Sequence, residues 1–115
     1  MSDSTEPETP LPQRRFRVSD SAKAELYQIW KDIVELSGSF ESADKIVESI
    51  RAKFRLLLDY PLAGRSRSEI GPGVRSFPAQ SGYLVYYRVT EELVEISHVA
   101  HGSRLPETVF TEEFQ

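Results

Sequence analysis

The sequence predicts an α+β domain with the order β-α-α-β-β-β, in which a helical hairpin packs on one face of a mainly antiparallel sheet. Three observations lead to this fold class. Apolar residues recur at every second position between residues 83 and 100, as in half-buried strands. They recur at every third or fourth position between residues 22 and 58, as in amphipathic helices. The connections between these segments are short, which favours antiparallel neighbours.

The chain begins with a segment, residues 1–14, that has the composition of a disordered leader. It is rich in Ser, Thr, Glu and Pro, and after Met1 it has a single large apolar residue, Leu11. Such a segment buries too little apolar surface to offset the entropy lost on ordering. The triplet Phe16-Arg17-Val18 then alternates as a first strand does. We therefore expect a single folded domain over residues 15–115.

The first helix is predicted to begin after Ser19 or Asp20, because either side chain can accept a hydrogen bond from the free amides of a first turn. Gly38 suits the left-handed position that ends a helix. The predicted buried stripe consists of Ala22, Leu26, Ile29, Trp30, Ile33 and Leu36.

The second helix has Ser39 or Ser42 as its predicted cap, with Glu41 near the positive end of the helix dipole. Pro61 stops it, because the residue before a proline is biased away from helical geometry. Its larger stripe makes it the main wall of the predicted core and consists of Ala43, Ile46, Val47, Ile50, Phe54, Leu57 and Leu58.

A polar loop, residues 62–73, leads to a third strand predicted over residues 74–79. Pro78 lacks a backbone N–H, so this strand should lie at an edge of the sheet or end there. Residues 80–82, Gln-Ser-Gly, are predicted to turn the chain into the last two strands.

The last two strands form a hairpin, residues 83–104, around which the sheet should be centred. In the first strand one face carries Tyr83, Val85, Tyr87 and Val89, and the other Leu84, Tyr86 and Arg88. In the second strand the alternating sets are Val94, Ile96, His98 and Ala100, and Glu95, Ser97, Val99 and His101. The four residues between them are polar enough and few enough for a hairpin turn.

The composition excludes several classes of protein. The chain has no cysteine, which excludes disulfides, zinc–thiolate sites and a cysteine nucleophile. No run approaches the roughly 20 apolar residues of a membrane-spanning helix, and the N-terminus lacks the pattern of a secretory signal. We expect a cytoplasmic protein with no membrane partner and no cofactor.

Basic residues concentrate in the middle of the chain. The net charge is −4, yet residues 51–75 hold six basic and two acidic side chains. Arginine forks bind phosphates and carboxylates, so arginines converging on the sheet face opposite the helices would suit RNA, DNA or an acidic peptide. The alternative is a set of solvated charges paired with glutamates. The candidates are Arg65, Arg67, Arg75, Arg88 and Arg104.

The two histidines, His98 and His101, differ in their predicted environments. His98 shares the predicted face of Val94 and Ile96, which favours a packed, hydrogen-bonded imidazole. His101 lies at a strand end, where a general acid or base could act. Residues three apart on a strand point to opposite faces, so this pair predicts no metal site.

Other catalytic patterns are weak in this sequence. Gly102-Ser103-Arg104 is not a nucleophile elbow, and no glycine spacing matches a phosphate-binding loop. There is no clear pair of carboxylates. Aromatic strand residues can stack on bases but more often belong to a core, and the ones in question are Tyr83, Tyr86 and Tyr87.

Several short motifs occur in an order and at spacings that resemble the RelE/ParE toxin superfamily of type II toxin–antitoxin systems. The resemblance covers about residues 16–110. The motifs are Ile29-Trp30, Tyr60-Pro61-Leu62-Ala63-Gly64-Arg65, Gly73-Val74-Arg75-Ser76-Phe77, Gly82-Tyr83-Leu84-Val85-Tyr86-Tyr87-Arg88 and Ile96-Ser97-His98-Val99-Ala100-His101-Gly102-Ser103-Arg104.

The resemblance implies one of two activities. RelE-like members are ribonucleases that cut messenger RNA in the ribosome with basic residues and a tyrosine near the C-terminus, whereas ParE-like members are associated with poisoning DNA gyrase. Arg75 and Arg104 match arginines of the ribonucleases. Phe110, however, occupies the place of the tyrosine and has no hydroxyl for proton transfer. The resemblance is therefore closer to ParE.

The expected function is that of a non-catalytic toxin that inhibits DNA gyrase or another topoisomerase and is neutralised by a ParD-like antitoxin. The resemblance and the charge pattern place target or antitoxin binding at Arg65, Arg67, Arg75, Arg88, His101 and Arg104. Two alternatives stay open. One is a ribosome-dependent mRNA endoribonuclease that uses Arg75, His101 and Arg104, and the other is a toxin-fold protein that only binds antitoxin.

Overall fold

A computed structural model describes residues 15–102 of the 115-residue chain. The predicted leader, Arg104, Phe110 and the acidic C-terminal tail lie outside the described residues. The elements in chain order are β1 (Arg15–Val18), α1 (Asp20–Ser37), α2 (Phe40–Asp59), β2 (Arg65–Ser66), β3 (Arg75–Pro78), a 3₁₀ turn (Gln80–Gly82), β4 (Tyr83–Val89) and β5 (Leu93–His101).

The fold is the predicted α+β sandwich, with the two helices on one face of a mixed five-stranded sheet. The strand order is β1-β5-β4-β3-β2, so the predicted hairpin of β4 and β5 lies at the centre. β1 pairs with β5 in parallel, and the other pairs are antiparallel. We call the sheet face opposite the helices the outer face.

The sheet has one strand more than predicted. Arg65 and Ser66, predicted to lie in a loop, form the two-residue strand β2 against Ser76 and Arg75. Propensity gives no signal for so short a polar strand, since it is held by long-range pairing alone. β2 pairs with Arg75 and Ser76 of β3, so the predicted edge position of β3 is wrong. The strand does end at Pro78, which is the alternative that the sequence left open.

Both helices begin and end at the predicted caps. The Ser19 side chain accepts a hydrogen bond from the Ala22 amide (3.0 Å), and its hydroxyl donates to the Ser97 carbonyl (2.7 Å). Ser39 caps α2 by accepting from the Ser42 amide at 3.0 Å. One serine thus starts α1 and joins it to β5, which fixes the helix over the sheet.

The core lies between the helices and the sheet and contains most of the predicted stripes. Leu36 is an exception, since it is 88% exposed at the last turn of α1. A smaller apolar cluster covers part of the outer face, where Val74 and Tyr86 are buried with Ile70 packed against them. Tyr86 and Tyr87 are both buried, as expected of core residues.

A β-bulge corrects the predicted alternation in β5. The pairing with β4 skips one residue, Ser97, on the longer strand. Beyond it Val99 lies in the helix-side core, although the alternation placed it on the opposite face from Ile96. His98 and Ala100, predicted to share the face of Ile96, are on the outer face instead. An inserted residue moves every later side chain of the strand to the opposite face of the sheet. The alternation of residue types in the sequence does not reveal such an insertion.

Candidate functional site

Three of the candidate arginines lie together on the outer face, which is one of the two arrangements that the sequence left open. Arg88 pairs across the sheet with Glu95, and Arg65 pairs with Ser76, which in turn pairs with the outward-facing Tyr86. Arg67 follows β2, and its backbone amide donates to the Val74 carbonyl at 2.7 Å. These arginines come from β2, the position just after it, and β4.

Two further arginines, Arg15 and Arg17, belong to the same face but were not selected from the sequence. Arg17 pairs with Glu95 in the sheet and makes a 2.6 Å ion pair with it. The alternation Arg15-Phe16-Arg17 was visible in the sequence. Because Phe16 packs against Phe54 of α2, its two neighbours in the strand must face outward.

The guanidinium of Arg67 is held in place by three contacts. It pairs with Glu69 at 2.8 Å, donates to the Ser76 hydroxyl at 3.2 Å and lies 5.7 Å from the centre of the Tyr86 ring. The hydrogen bond from Arg67 lowers the pKa of the Glu69 carboxyl below its usual range, so the pair stays ionised. Arg67 therefore covers Tyr86 and presents a fixed positive charge on the outer face.

Arg75 does not join this group. It pairs with Tyr87 and so lies on the helix side of the sheet, where its guanidinium donates to the Gly64 carbonyl at 2.6 Å. Its second contact is with the Leu62 carbonyl at 3.5 Å. Arg75 was one of the five candidates for a basic face opposite the helices, and it does not lie on that face. Its visible role is to hold the loop before β2.

The same loop is fixed by a buried tyrosine. The Tyr87 hydroxyl donates to the Pro61 carbonyl and accepts from the Gly64 amide, each at 2.8 Å. Burial raises the pKa of the Tyr87 hydroxyl above its ordinary value, so it keeps its proton and remains a donor at neutral pH. Tyr60 and Leu62 are exposed on this loop, which the two anchors hold in one conformation.

His98 is the packed, hydrogen-bonded imidazole that the sequence predicted. It is 2% exposed, and its Nδ1 lies 3.0 Å from Glu25 Oε2 of α1. The other oxygen of Glu25 accepts a hydrogen bond from the Val99 amide at 2.8 Å. β1 pairs with β5 only as far as Ile96, so the backbone beyond that residue has no strand partner on this side. The Glu25 carboxylate accepts the Val99 N–H in place of a strand.

His101 lies at the far end of the sheet from Arg75. The former pairs with Tyr83 and the latter with Tyr87, four residues and two strands apart. Strand geometry converts this offset into a separation of roughly 17 Å between their Cα atoms. His101 packs edge-on against the Tyr83 ring with the centroids 5.4 Å apart. The third residue of the ribonuclease alternative, Arg104, lies outside the described residues.

A second candidate surface lies on the helical hairpin. The rings of Tyr27, Trp30 and Phe40 are stacked, with centroid distances of 6.3 Å and 5.6 Å, and the Trp30 indole N–H donates to Asp44 at 2.9 Å. Tyr27 is 62% exposed and Phe40 65% exposed. They adjoin a groove of about 690 Å³ lined by Lys23, Leu26, Tyr27, Trp30, Asp44, Lys45, Val47, Glu48 and Arg51.

This groove was not singled out from the sequence, where Trp30 was assigned to the core stripe of the first helix. Its ring is stacked on the side of the hairpin instead. The available signal was Tyr27, an aromatic residue three positions before Trp30 that the core stripe does not include.

Residues 15–102 contain no cluster of three or more His, Asp or Glu side chains able to hold a metal ion. None of the helices within this range is both long enough and apolar enough to cross a bilayer.

Comparison with known proteins gives consistent matches. The family model of the ParE toxin of the type II toxin–antitoxin system parDE matches residues 16–106. Toxin ParE3 of Caulobacter vibrioides is 31% identical over 78 residues, which cover 68% of this chain and 76% of the relative. A solved chain of the chromosomal ParDE system from P. aeruginosa has a TM-score of 0.68 and 24% identity, covering 77% of this chain and 96% of that one.

Proposed function

The chain belongs to the ParE family of toxins from type II toxin–antitoxin systems, and from this premise we propose that it arrests growth by inhibiting DNA gyrase. In this proposal the toxin binds the enzyme and catalyses no reaction of its own. The family implies a cognate antitoxin as its partner. We further propose that this antitoxin neutralises the toxin by direct binding, and that both proteins act in the cytoplasm, where gyrase works.

The observation that carries the non-catalytic proposal is the separation of the candidate catalytic groups. The Arg75 guanidinium donates to the Gly64 carbonyl on the helix side of the sheet. The Cα atom of His101 lies roughly 17 Å from that of Arg75. A general acid or base must come within hydrogen-bond reach of the reacting group, and the Arg75 guanidinium is instead held at the Gly64 and Leu62 carbonyls, which does not favour a phosphate site shared with His101. Phe110 in place of a tyrosine supports the same reading.

The test is a supercoiling assay with purified gyrase and relaxed plasmid. We expect supercoiling to fall as toxin is added. When the toxin is first mixed with the cognate antitoxin, supercoiling should remain at the level seen without toxin. Relaxation by a type I topoisomerase serves as the control and should not change. Full supercoiling at a large molar excess of toxin would contradict the proposal. If growth also continued after induction, the chain would be a toxin-fold protein that only binds antitoxin.

We propose that the antitoxin binds along the groove of the helical hairpin. Type II antitoxin segments that fold on binding need an apolar wall for one face of a helix, and Leu26, Trp30 and Val47 supply one. The lining also holds three basic residues, Lys23, Lys45 and Arg51, against two acidic ones, so an acidic amphipathic segment would complement its charge. This proposal places binding energy in Trp30, since aromatic side chains at the centre of an interface usually dominate affinity.

Replacing Trp30 with alanine is therefore expected to weaken antitoxin binding by about 30-fold, the factor that corresponds to a loss of roughly 2 kcal/mol at a binding hot spot. Isothermal titration with the isolated C-terminal segment of the antitoxin measures this change. Leu36→Ala is the matched control, because Leu36 lies on the same helix, is 88% exposed and does not line the groove. Equal affinities for Trp30→Ala and Leu36→Ala would place the antitoxin elsewhere.

A further inference from the structure

We propose that the outer face of the sheet binds the phosphate backbone of duplex DNA. The biological setting of this inference rests on the proposed action on gyrase, whose substrate is duplex DNA, but the binding itself can be tested alone. Five arginines of the described residues carry the inference: Arg15, Arg17, Arg65, Arg67 and Arg88.

The sheet register places three of these arginines in one row across the strands. Arg17 pairs with Glu95, which pairs with Arg88 on the next strand, and the row continues past Val74 to Arg67 at the other edge. Strands are about 4.8 Å apart, so the row spans roughly 19 Å. Each strand of duplex DNA carries one phosphate per about 3.4 Å of helix axis, so the row spans the axial length of about five or six phosphates.

The charge on this face is positive although the chain as a whole has a net charge of −4. Two carboxylates pair with the row, Glu95 with Arg17 and Glu69 with Arg67. Glu91 and Glu92 lie in the β4–β5 turn at one end, beside Arg15. The pairs hold two guanidinium groups in position, and a planar fork already held in place loses less side-chain entropy when it binds phosphate.

The distribution of apolar side chains favours duplex DNA over an acidic peptide or single-stranded nucleic acid as the ligand of the outer face. Among residues 15–102, the exposed large hydrophobic side chains are on the helices, at the loop before β2 and at Phe16, whose ring contacts α2. An acidic peptide would therefore find no fully exposed large apolar side chain as an anchor on the outer face, where Ile70 and Leu84 are half-buried. Single-stranded nucleic acid would find no stacking platform, because Tyr86 is 1% exposed beneath Arg67. Duplex DNA needs neither, since its backbone alone gives non-specific affinity.

The test is fluorescence anisotropy with the full-length toxin and a labelled 20-base-pair duplex, repeated at several salt concentrations. Wild-type toxin is expected to bind with Kd of roughly 1–100 µM, the range of non-specific binding. In Arg15→Ala/Arg65→Ala, each lost phosphate contact should reduce affinity roughly eightfold near 0.1 M salt and the salt slope by about 0.9. Both residues are exposed, so the substitutions should leave the fold intact.

Two further variants separate this role from a general effect of charge. Lys31→Ala/Arg55→Ala removes the same charge from exposed positions on the helices and should change affinity less than twofold. Glu95→Gln removes a negative charge beside Arg17 but keeps an amide oxygen that can accept from its guanidinium, so it should tighten binding several-fold. A structural role for the face would not predict a gain of affinity.

Three results would overturn the inference. The first is no binding of the duplex by wild-type toxin at 50 mM salt. The second is an equal loss in the two double variants. The third is tighter binding of a single-stranded oligonucleotide or an acidic peptide than of the duplex. If duplex binding fails while gyrase inhibition is observed, the proposed function stands and this inference falls; the reverse result would leave DNA binding without the proposed target.

Discussion

Replacing Gly64 with alanine should lower the free energy of unfolding by about 2–5 kcal/mol, the sum of an overpacking cost and the loss of buried hydrogen bonds. A Cβ at this position would lie 2.4 Å from the Tyr87 hydroxyl and 2.9 Å from the Ser76 carbonyl oxygen. The backbone atom cannot rotate away, and moving the tyrosine breaks its bonds to Pro61 and Gly64. Urea unfolding followed by circular dichroism measures the shift.

Gly38→Ala provides the control for this substitution. Gly38 has a positive φ of 70°, but a Cβ there meets no atom within 4 Å. Only the left-handed conformation is then penalised, by about 1–2 kcal/mol. A similar loss of stability in the two variants would show that the contact between Gly64 and Tyr87 does not hold the loop before β2.

Replacing Glu25 with alanine should cost about 2–4 kcal/mol of stability, because it removes the partners of two groups. The Val99 amide and the His98 imidazole would both lose their hydrogen bonds to the carboxylate. His98 is 2% exposed and has little access to water in compensation. The same unfolding experiment measures the change, and the edge of β5 beyond β1 should show faster amide hydrogen exchange.

Two matched variants define what Glu25 contributes. Glu35→Ala removes a carboxylate from an exposed position of the same helix and should change stability by no more than about 0.5 kcal/mol. Glu25→Gln keeps an oxygen for the Val99 amide and should recover at least half of the loss seen with alanine. If Glu25→Ala were as mild as Glu35→Ala, the link between α1 and the edge of β5 would have no energetic importance.

Local signals predicted the elements of this fold because each reflects a property of the chain itself. The spacing of the apolar residues predicted both helices and the central hairpin. Ser19 and Gly38 predicted where α1 begins and ends. Pro78 predicted where β3 ends because a missing N–H is visible in the sequence. The outward position of Arg88 followed from alternation in the same way.

The features that sequence did not predict depend on contacts between distant segments. Glu25 meets His98 across 73 positions of sequence. The bulge at Ser97 reflects the fit between two strands and leaves no mark in composition. Arg75 was a candidate for the outer face because an arginine suits phosphate, whereas its pairing with Tyr87 turns its side chain to the helix side of the sheet. The residue type indicated the chemistry available, but the register decided where it was used.

The central claim, that this ParE-family toxin acts on gyrase without cutting RNA, can be tested in one culture. After induction of the toxin in cells carrying a reporter plasmid, plasmid topology is resolved on chloroquine gels and translated messages are mapped by primer extension. The account predicts progressive loss of negative supercoiling while the messages stay intact. Normal supercoiling together with cuts that follow the codon frame would contradict it and assign the chain to the ribosome-dependent ribonucleases.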